Sequence, residues 1–168
     1  MHTTYIIFFF IIILPRILFI LFFPEYGGDY EIYTTVAKNI LNGCGVSLSD
    51  PLSEKCIPHF GGNHGPGYPL FISIGWLIFN NSDTAIRIMQ SIIFSISCLW
   101  LLKSIYMLTK NKKTIIIIGL ILAFSPLLIA WPRYLQTETL SLAATIYLIA
   151  EIIISLSIKK VRIIPIGL

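Results

Sequence analysis

YIIFFFIIILPRILFILFF, residues 5–23, decides the class of this fold. Arg16 and Pro15 interrupt an otherwise apolar run. A helix rises about 1.5 Å per residue, so about 20 such residues cross about 30 Å of hydrocarbon. The run is too long for the apolar core of a cleaved signal. MHTTY before it carries no Lys or Arg, and no small-residue cleavage site follows. It reads as a retained membrane span. Three later stretches are long and apolar enough for the same reading, at residues 85–108, 114–131 and 139–158. Composition agrees. The chain is 56% hydrophobic and 12% charged, where a soluble domain has about 45–50% and about 25%. The expected fold is all-α, a polytopic transmembrane helix bundle, with residues 1–168 forming a single membrane domain.

Charge supplies an orientation. Residues 24–83 hold Glu25, Asp29, Glu31, Asp50, Glu54 and Asp83 against only Lys38 and Lys55. Lys110, Lys112 and Lys113 follow the second span, and Lys159, Lys160 and Arg162 follow the fourth. Lys and Arg accumulate on the cytoplasmic side. The N-terminus is therefore expected inside, the loop 24–83 outside, and the link from Arg133 to Glu138 outside. The net charge of +4 is a topology signal. The basic residues flank spans and form no continuous patch, so nucleic acid is not an expected partner. Cys98 falls within a span and reads as a small buried apolar side chain. Cys44 and Cys56 fall in the outer loop, where a disulfide would survive; spacing leaves their pairing open. No metal-type cysteine spacing occurs.

The outer loop holds most of the polar chemistry. In DYEIYTTVAKNILN, residues 29–42, Ile32, Tyr33, Val36, Ala37, Ile40 and Leu41 recur at helical spacing. Asp29 suits the N-cap and Gly43 the residue past the C-cap. The apolar stripe would let this helix lie along the membrane interface. Next comes HGPGYPLF, residues 64–71, a rigid corner before a short apolar run. Pro66 and Pro69 fit the first turn of a second interfacial helix. Tyr68 and Trp76 suit the headgroup level. Residues 80–83, NNSD, end that helix, and Ser82 or Asp83 caps the next span.

Several stretches taken in order carry a resemblance. They are DYEIYTTVAKNILNG, GPGYPLFIS, RIMQSIIFSISCLWL and SPLLIAWPRYLQTETLSL. Their order, spacing and side of the membrane resemble the N-terminal part of the GT-C glycosyltransferases. The nearer likeness is to the branch of dolichyl-phosphate-mannose protein mannosyltransferases and bacterial relatives that modify lipid A and surface polysaccharides. The resemblance implies a polyprenyl-phosphate sugar donor used at the extracytoplasmic face of the bacterial inner membrane. It implies a lipid, glycan or protein hydroxyl as acceptor and hexosyl or pentosyl transfer. Such transfer needs a carboxylate to orient and deprotonate the acceptor hydroxyl. It also needs cations or backbone N–H groups around the leaving phosphate.

Asp29 matches the family's acidic position after the first span and is the expected catalytic carboxylate; a plain helix cap is the alternative. Glu31 is the second catalytic candidate, although Tyr30 separates it from Asp29 where some relatives carry an adjacent acidic pair. Glu138 matches a recurrent family glutamate and is expected to meet the acceptor or a divalent metal ion; otherwise it serves a helix N-terminus. No cofactor beyond such an ion is implied. His64, Tyr33, Arg87 and Arg133 complete the expected substrate-binding set, with Arg87 and Arg133 facing either the donor phosphate or membrane lipids. Two histidines alone make a weak metal set, and His59 and His64 read first as surface-loop side chains, His64 being the better site candidate. Arg16 and Glu151 are expected to face the bundle interior, where they would lie against each other. Lys103 is expected to snorkel. VRIIPIGL at the end reads as the start of a fifth span, so the chain is expected to be the N-terminal portion of a larger domain and inactive alone. The competing class is a non-enzymatic membrane module, a transporter part or an assembly subunit. Transporters place their ionisable groups near the midplane, whereas most polar groups here lie in the outer loop.

Overall fold

A computed structural model describes residues 2–49, 56–57 and 65–157. Among them the regular elements are helical: α1 His2–Phe22, α2 Tyr30–Leu41, α3 Gly67–Phe79, α4 Asp83–Thr109, α5 Lys112–Phe124, α6 Pro126–Ala130 and α7 Glu138–Ser157. A single 3-10 turn, Trp131–Arg133, follows α6. α1, α4 and α7 are each long and apolar enough to span a membrane. The all-α polytopic bundle expected from sequence is the fold observed.

The third span is broken, where sequence suggested one continuous helix. α5 and the α6 segment through Arg133 meet at 53°. Pro126 causes the break. It has no N–H, so it cannot donate to the Leu122 carbonyl one turn back. Arg16 supplies that bond from α1, its Nη2 lying 2.7 Å from the Leu122 oxygen. A second guanidinium nitrogen bonds the Ile12 carbonyl, and the cation sits 4.7 Å above the Phe94 ring. Arg16 is thus fully buried, as expected, but its partners are carbonyls and an aromatic face in place of Glu151. Glu151 accepts a hydrogen bond from Trp100 Nε1 at 2.7 Å. Lys103 Nζ lies over the same indole at 4.5 Å.

Helical periodicity sorts α1 into two faces. Phe8, Ile12, Arg16 and Ile20 turn inward, while Ile6, Phe10, Leu14, Leu18 and Leu21 are exposed. The exposed stripe suits lipid. α4 is the central element, packed against both α1 and α7. Ser91, Ser95, Ala143 and Ala150, all buried, are small enough to let α4 and α7 approach closely. The Ser91 and Ser95 hydroxyls return to carbonyls one turn back on α4. Gly119 lets α5 close on α1, because a Cβ there would run into the Phe8 ring.

α2 and α3 form a cap over one end of the bundle. Ser82 caps α4 by accepting from Ala85 N. α2 ends in a Schellman motif: Cys44 N–H reaches Asn39 O at 2.8 Å, Gly43 N–H reaches Ile40 O, and Gly43 takes φ +82°. Cys44 and Cys56 are disulfide-bonded, with Cα atoms 5.3 Å apart. The apolar stripe of α2 is spent on protein contacts: Tyr33 and Ala37 join Tyr68, Ile72, Trp76, Ile86 and Leu135 in one buried cluster. Tyr68 and Trp76 are therefore core residues, and each finds a polar partner inside. Tyr68 donates to Gln90 Oε1 and Trp76 to Asp83 Oδ1.

Candidate functional site at the capped end of the bundle

Gln90 positions the site, and its placement follows from its chemistry. It is fully buried on α4. Its Nε2 donates to the carbonyls of Pro132 and Tyr134, at 2.9 and 2.8 Å, and its Oε1 accepts from Tyr68. One side chain thus ties α3, α4 and the link 131–137 together. Gln136 from that link packs against Gly28, where φ is +68° and a Cβ would collide with the amide. The segment before α2 and the segment before α7 are thereby brought side by side.

Three of the residues singled out from sequence meet here. Tyr33 hydrogen-bonds Thr137, and the carboxylates of Asp29 and Glu138 act on its hydroxyl. Burial first, then those two negative charges, push the Tyr33 hydroxyl above the usual phenol range, while Thr137 pulls it back. Tyr68 packs edge-on to Tyr33, ring centroids 5.0 Å apart. Burial, Tyr33 and Glu138 raise its hydroxyl too, against the opposing pull of Arg87. Asp29 occupies the N-cap position of α2 by backbone, yet its side chain makes no cap hydrogen bond. Asp29 is partly exposed. Glu138 opens α7, and its Oε2 is buried without a hydrogen-bond partner.

The two arginines flank this group. Arg87 is fully buried inside the protein, away from membrane lipids. Its Nη2 donates to Glu25 O at 3.0 Å and its cation lies 4.7 Å from the Tyr26 ring centroid, while Nε and Nη1 have no partner. Arg133 is half-buried over Phe19, bonded to the Tyr134 hydroxyl at 2.6 Å and 3.9 Å from Glu25 Oε2. Orphaned polar atoms therefore gather at this end: Arg87 Nε and Nη1, Arg133 Nε, Glu138 Oε2 and Thr139 Oγ1. Native interiors leave few such groups, and each calls for a partner.

Other expected residues fall elsewhere. Glu31 is exposed on α2 and is not among the groups acting on Tyr33. His59 and His64 lie outside the described residues. Among the described residues no three His, Cys, Asp or Glu side chains are grouped to hold a metal ion, so Glu138 has no set of co-ligands there. Sequence reading passed over Gln90, Thr137 and Tyr30. Tyr30 donates to Asp83 Oδ2 at 2.6 Å. A buried amide in an apolar run, as in RIMQS, was the available signal for Gln90.

Fold and site together define an integral membrane protein whose polar groups gather at one end of a helix bundle. The profile of the family described as dolichyl-phosphate-mannose-protein mannosyltransferase matches residues 63–164. The chain belongs to that family, which is one of membrane glycosyltransferases. Arg87, Arg133 and Glu138 lie within the matched region, and Asp29 and Tyr33 precede it. No curated protein and no solved structure matches the chain significantly.

Proposed function

We propose that this end of the bundle transfers a sugar from a polyprenyl-phosphate donor to a hydroxyl acceptor at the extracytoplasmic face. The supporting observation is the close approach of Gly28 to Gln136, which brings the N-terminus of α2, with Asp29, beside the N-terminus of α7, with Glu138. In this reading Asp29 accepts the proton of the acceptor hydroxyl as it attacks the anomeric carbon. The bond to the phosphate oxygen breaks as the new glycosidic bond forms, with inversion. Arg87 and Arg133 face the charge that develops on the leaving phosphate. Arg133 suits direct contact because it is only half-buried, whereas the fully buried Arg87 acts through its charge at longer range. Glu138 and Tyr33 orient the acceptor. The positive-inside charge pattern supports a reading with this end outside and the N-terminus in the cytoplasm. The lipid, glycan or protein nature of the acceptor stays open on these grounds.

The test is transfer of radiolabelled sugar from a panel of polyprenyl-phosphate sugars, in membranes expressing the complete gene product. Asp29→Asn should lose about 10²–10⁴-fold in rate, the span of general base catalysis. Glu31→Gln should stay within a few-fold of the parent. An Asp29→Asn variant of undiminished rate would return Asp29 to a structural role. The transporter or assembly-subunit reading gains nothing from Glu151, whose carboxylate is engaged by Trp100 inside the bundle.

A further inference from the structure

A polar cavity opens beside α2. It has a volume of about 360 Å³, within the range of about 300–1,000 Å³ for small-molecule sites. Tyr30, Lys38 and Asn42 of the α2 side, Trp76 of α3, and Asn81 and Asp83 of the following turn line it. Asp83 is its fixed point. Trp76 Nε1 donates to one carboxylate oxygen at 3.0 Å and the Tyr30 hydroxyl donates to the other at 2.6 Å. Each oxygen keeps a further lone pair. Burial and the Asp83 carboxylate raise the Tyr30 hydroxyl well above the usual phenol range, so it remains a donor. The rim is set by an unusual backbone. Asn80 and Asn81 are consecutive non-glycine residues in the left-handed region, at φ 52° and 61°. Such conformations are uncommon outside glycine and collect at functional sites.

We infer that this cavity, built on the Tyr30–Asp83–Trp76 clamp, is a carbohydrate subsite that holds a pyranose ring of a glycan acceptor. A carboxylate, two primary amides and an ammonium supply acceptors and donors in the mixture that vicinal hydroxyls require. The Tyr30 ring, partly exposed, supplies apolar area for the C–H face of a sugar. Other ligand classes fit worse. A bare anion would meet the Asp83 charge. A metal ion would find one carboxylate and no cluster of ligands among the described residues. An acyl chain would strip water from Asp83, Lys38 and the amides without replacing their hydrogen bonds. Tyr30 directly follows Asp29 in sequence, so the cavity adjoins the proposed site through one residue. The inference rests on the glycosyl-transfer reading and supplies the acceptor class which that reading leaves open.

Saturation-transfer difference NMR on the chain in lipid nanodiscs, with mannobiose, maltose and cellobiose as probes, tests it without requiring turnover. Saturable binding of at least one disaccharide is expected, weakened about tenfold or more by Asp83→Asn, since a hydrogen bond to a charged group is lost. Asn42→Ala and Lys38→Gln change exposed side chains at the rim and leave the fold intact, so they report on the cavity even where Asp83→Asn unfolds. They too should weaken binding. Binding of none of the three sugars, or binding unaltered in all three variants, overturns the inference. Sugar binding with this variant pattern, in a protein that transfers from no donor, would sustain the subsite and refute the proposed reaction instead.

Discussion

Replacing Gln90 with Leu should be the most damaging single change to the site that touches none of its proposed reacting groups. The side chain is fully buried and makes three hydrogen bonds, to the carbonyls of Pro132 and Tyr134 and from the Tyr68 hydroxyl. Leu fills nearly the same space and satisfies none of them. A buried hydrogen bond contributes about 1 kcal/mol net, and a stranded buried partner costs about 1–3 kcal/mol. Three losses therefore sum to about 3 kcal/mol, near the upper end of single-substitution effects. Reversible unfolding of the chain in nanodiscs would read the loss as a shift in midpoint at unchanged slope. Ser97→Ala is the matched control, because its hydroxyl only returns to Ile93 O on its own helix. It should cost less than about 0.5 kcal/mol. Hydrogen exchange should also quicken in residues 131–137, which lose their tie to α4. A Gln90→Leu change below about 1 kcal/mol, with exchange in that link unaltered, would refute the reasoning. The link would then hold its place without Gln90.

Two other predictions concern packing and pH. Gly119→Leu sets a side chain into the Phe8 ring and should destabilise by about 1–3 kcal/mol in the same unfolding assay, whereas Gly67→Ala, with open space around it, should be neutral. Tyr30, Tyr33 and Tyr68 are all raised in the folded state by burial and nearby carboxylates. An acid whose folded pKa is raised contributes stability that is fully present below its unfolded pKa, about 10 for tyrosine, and that is lost as pH rises beyond it. Unfolding midpoints should therefore be level to about pH 9 and fall steeply above about pH 10, and Tyr33→Phe should make the fall shallower; a level profile to about pH 11 would contradict the assignment.

Much of this architecture was legible in the residues. Span lengths follow from apolar runs, and the ends of α2 and α4 follow from Gly43 and Ser82, whose cap geometries are local. The break in the third span was legible in principle, since Pro126 cannot continue a helix, yet apolar composition alone carried the run across it. What composition could not show was the spending of amphipathic faces. Tyr68, Trp76 and the stripe on α2 have the chemistry of an interface, and only tertiary packing shows that α3, α4 and Leu135 cover them. Arg16 and Glu151 were correctly read as interior charges, but a carbonyl freed by a proline on another helix leaves no local mark. Asp29 and Glu138 were each singled out through the family pattern, and nothing in either segment alone points to the other. Gln90 and Thr137, which hold that arrangement together, lay hidden among residues that read as span and loop.

A double-mutant cycle on Asp29→Asn and Glu138→Gln, read as sugar-transfer rate at saturating donor, tests the central claim most directly. If the two carboxylates serve one acceptor hydroxyl, each single change should cost about 10²-fold or more, and the double variant should lose little beyond the worse single. Losses that multiply, or a Glu138→Gln variant of parental rate, would mean that the two segments meet in the fold without forming one site.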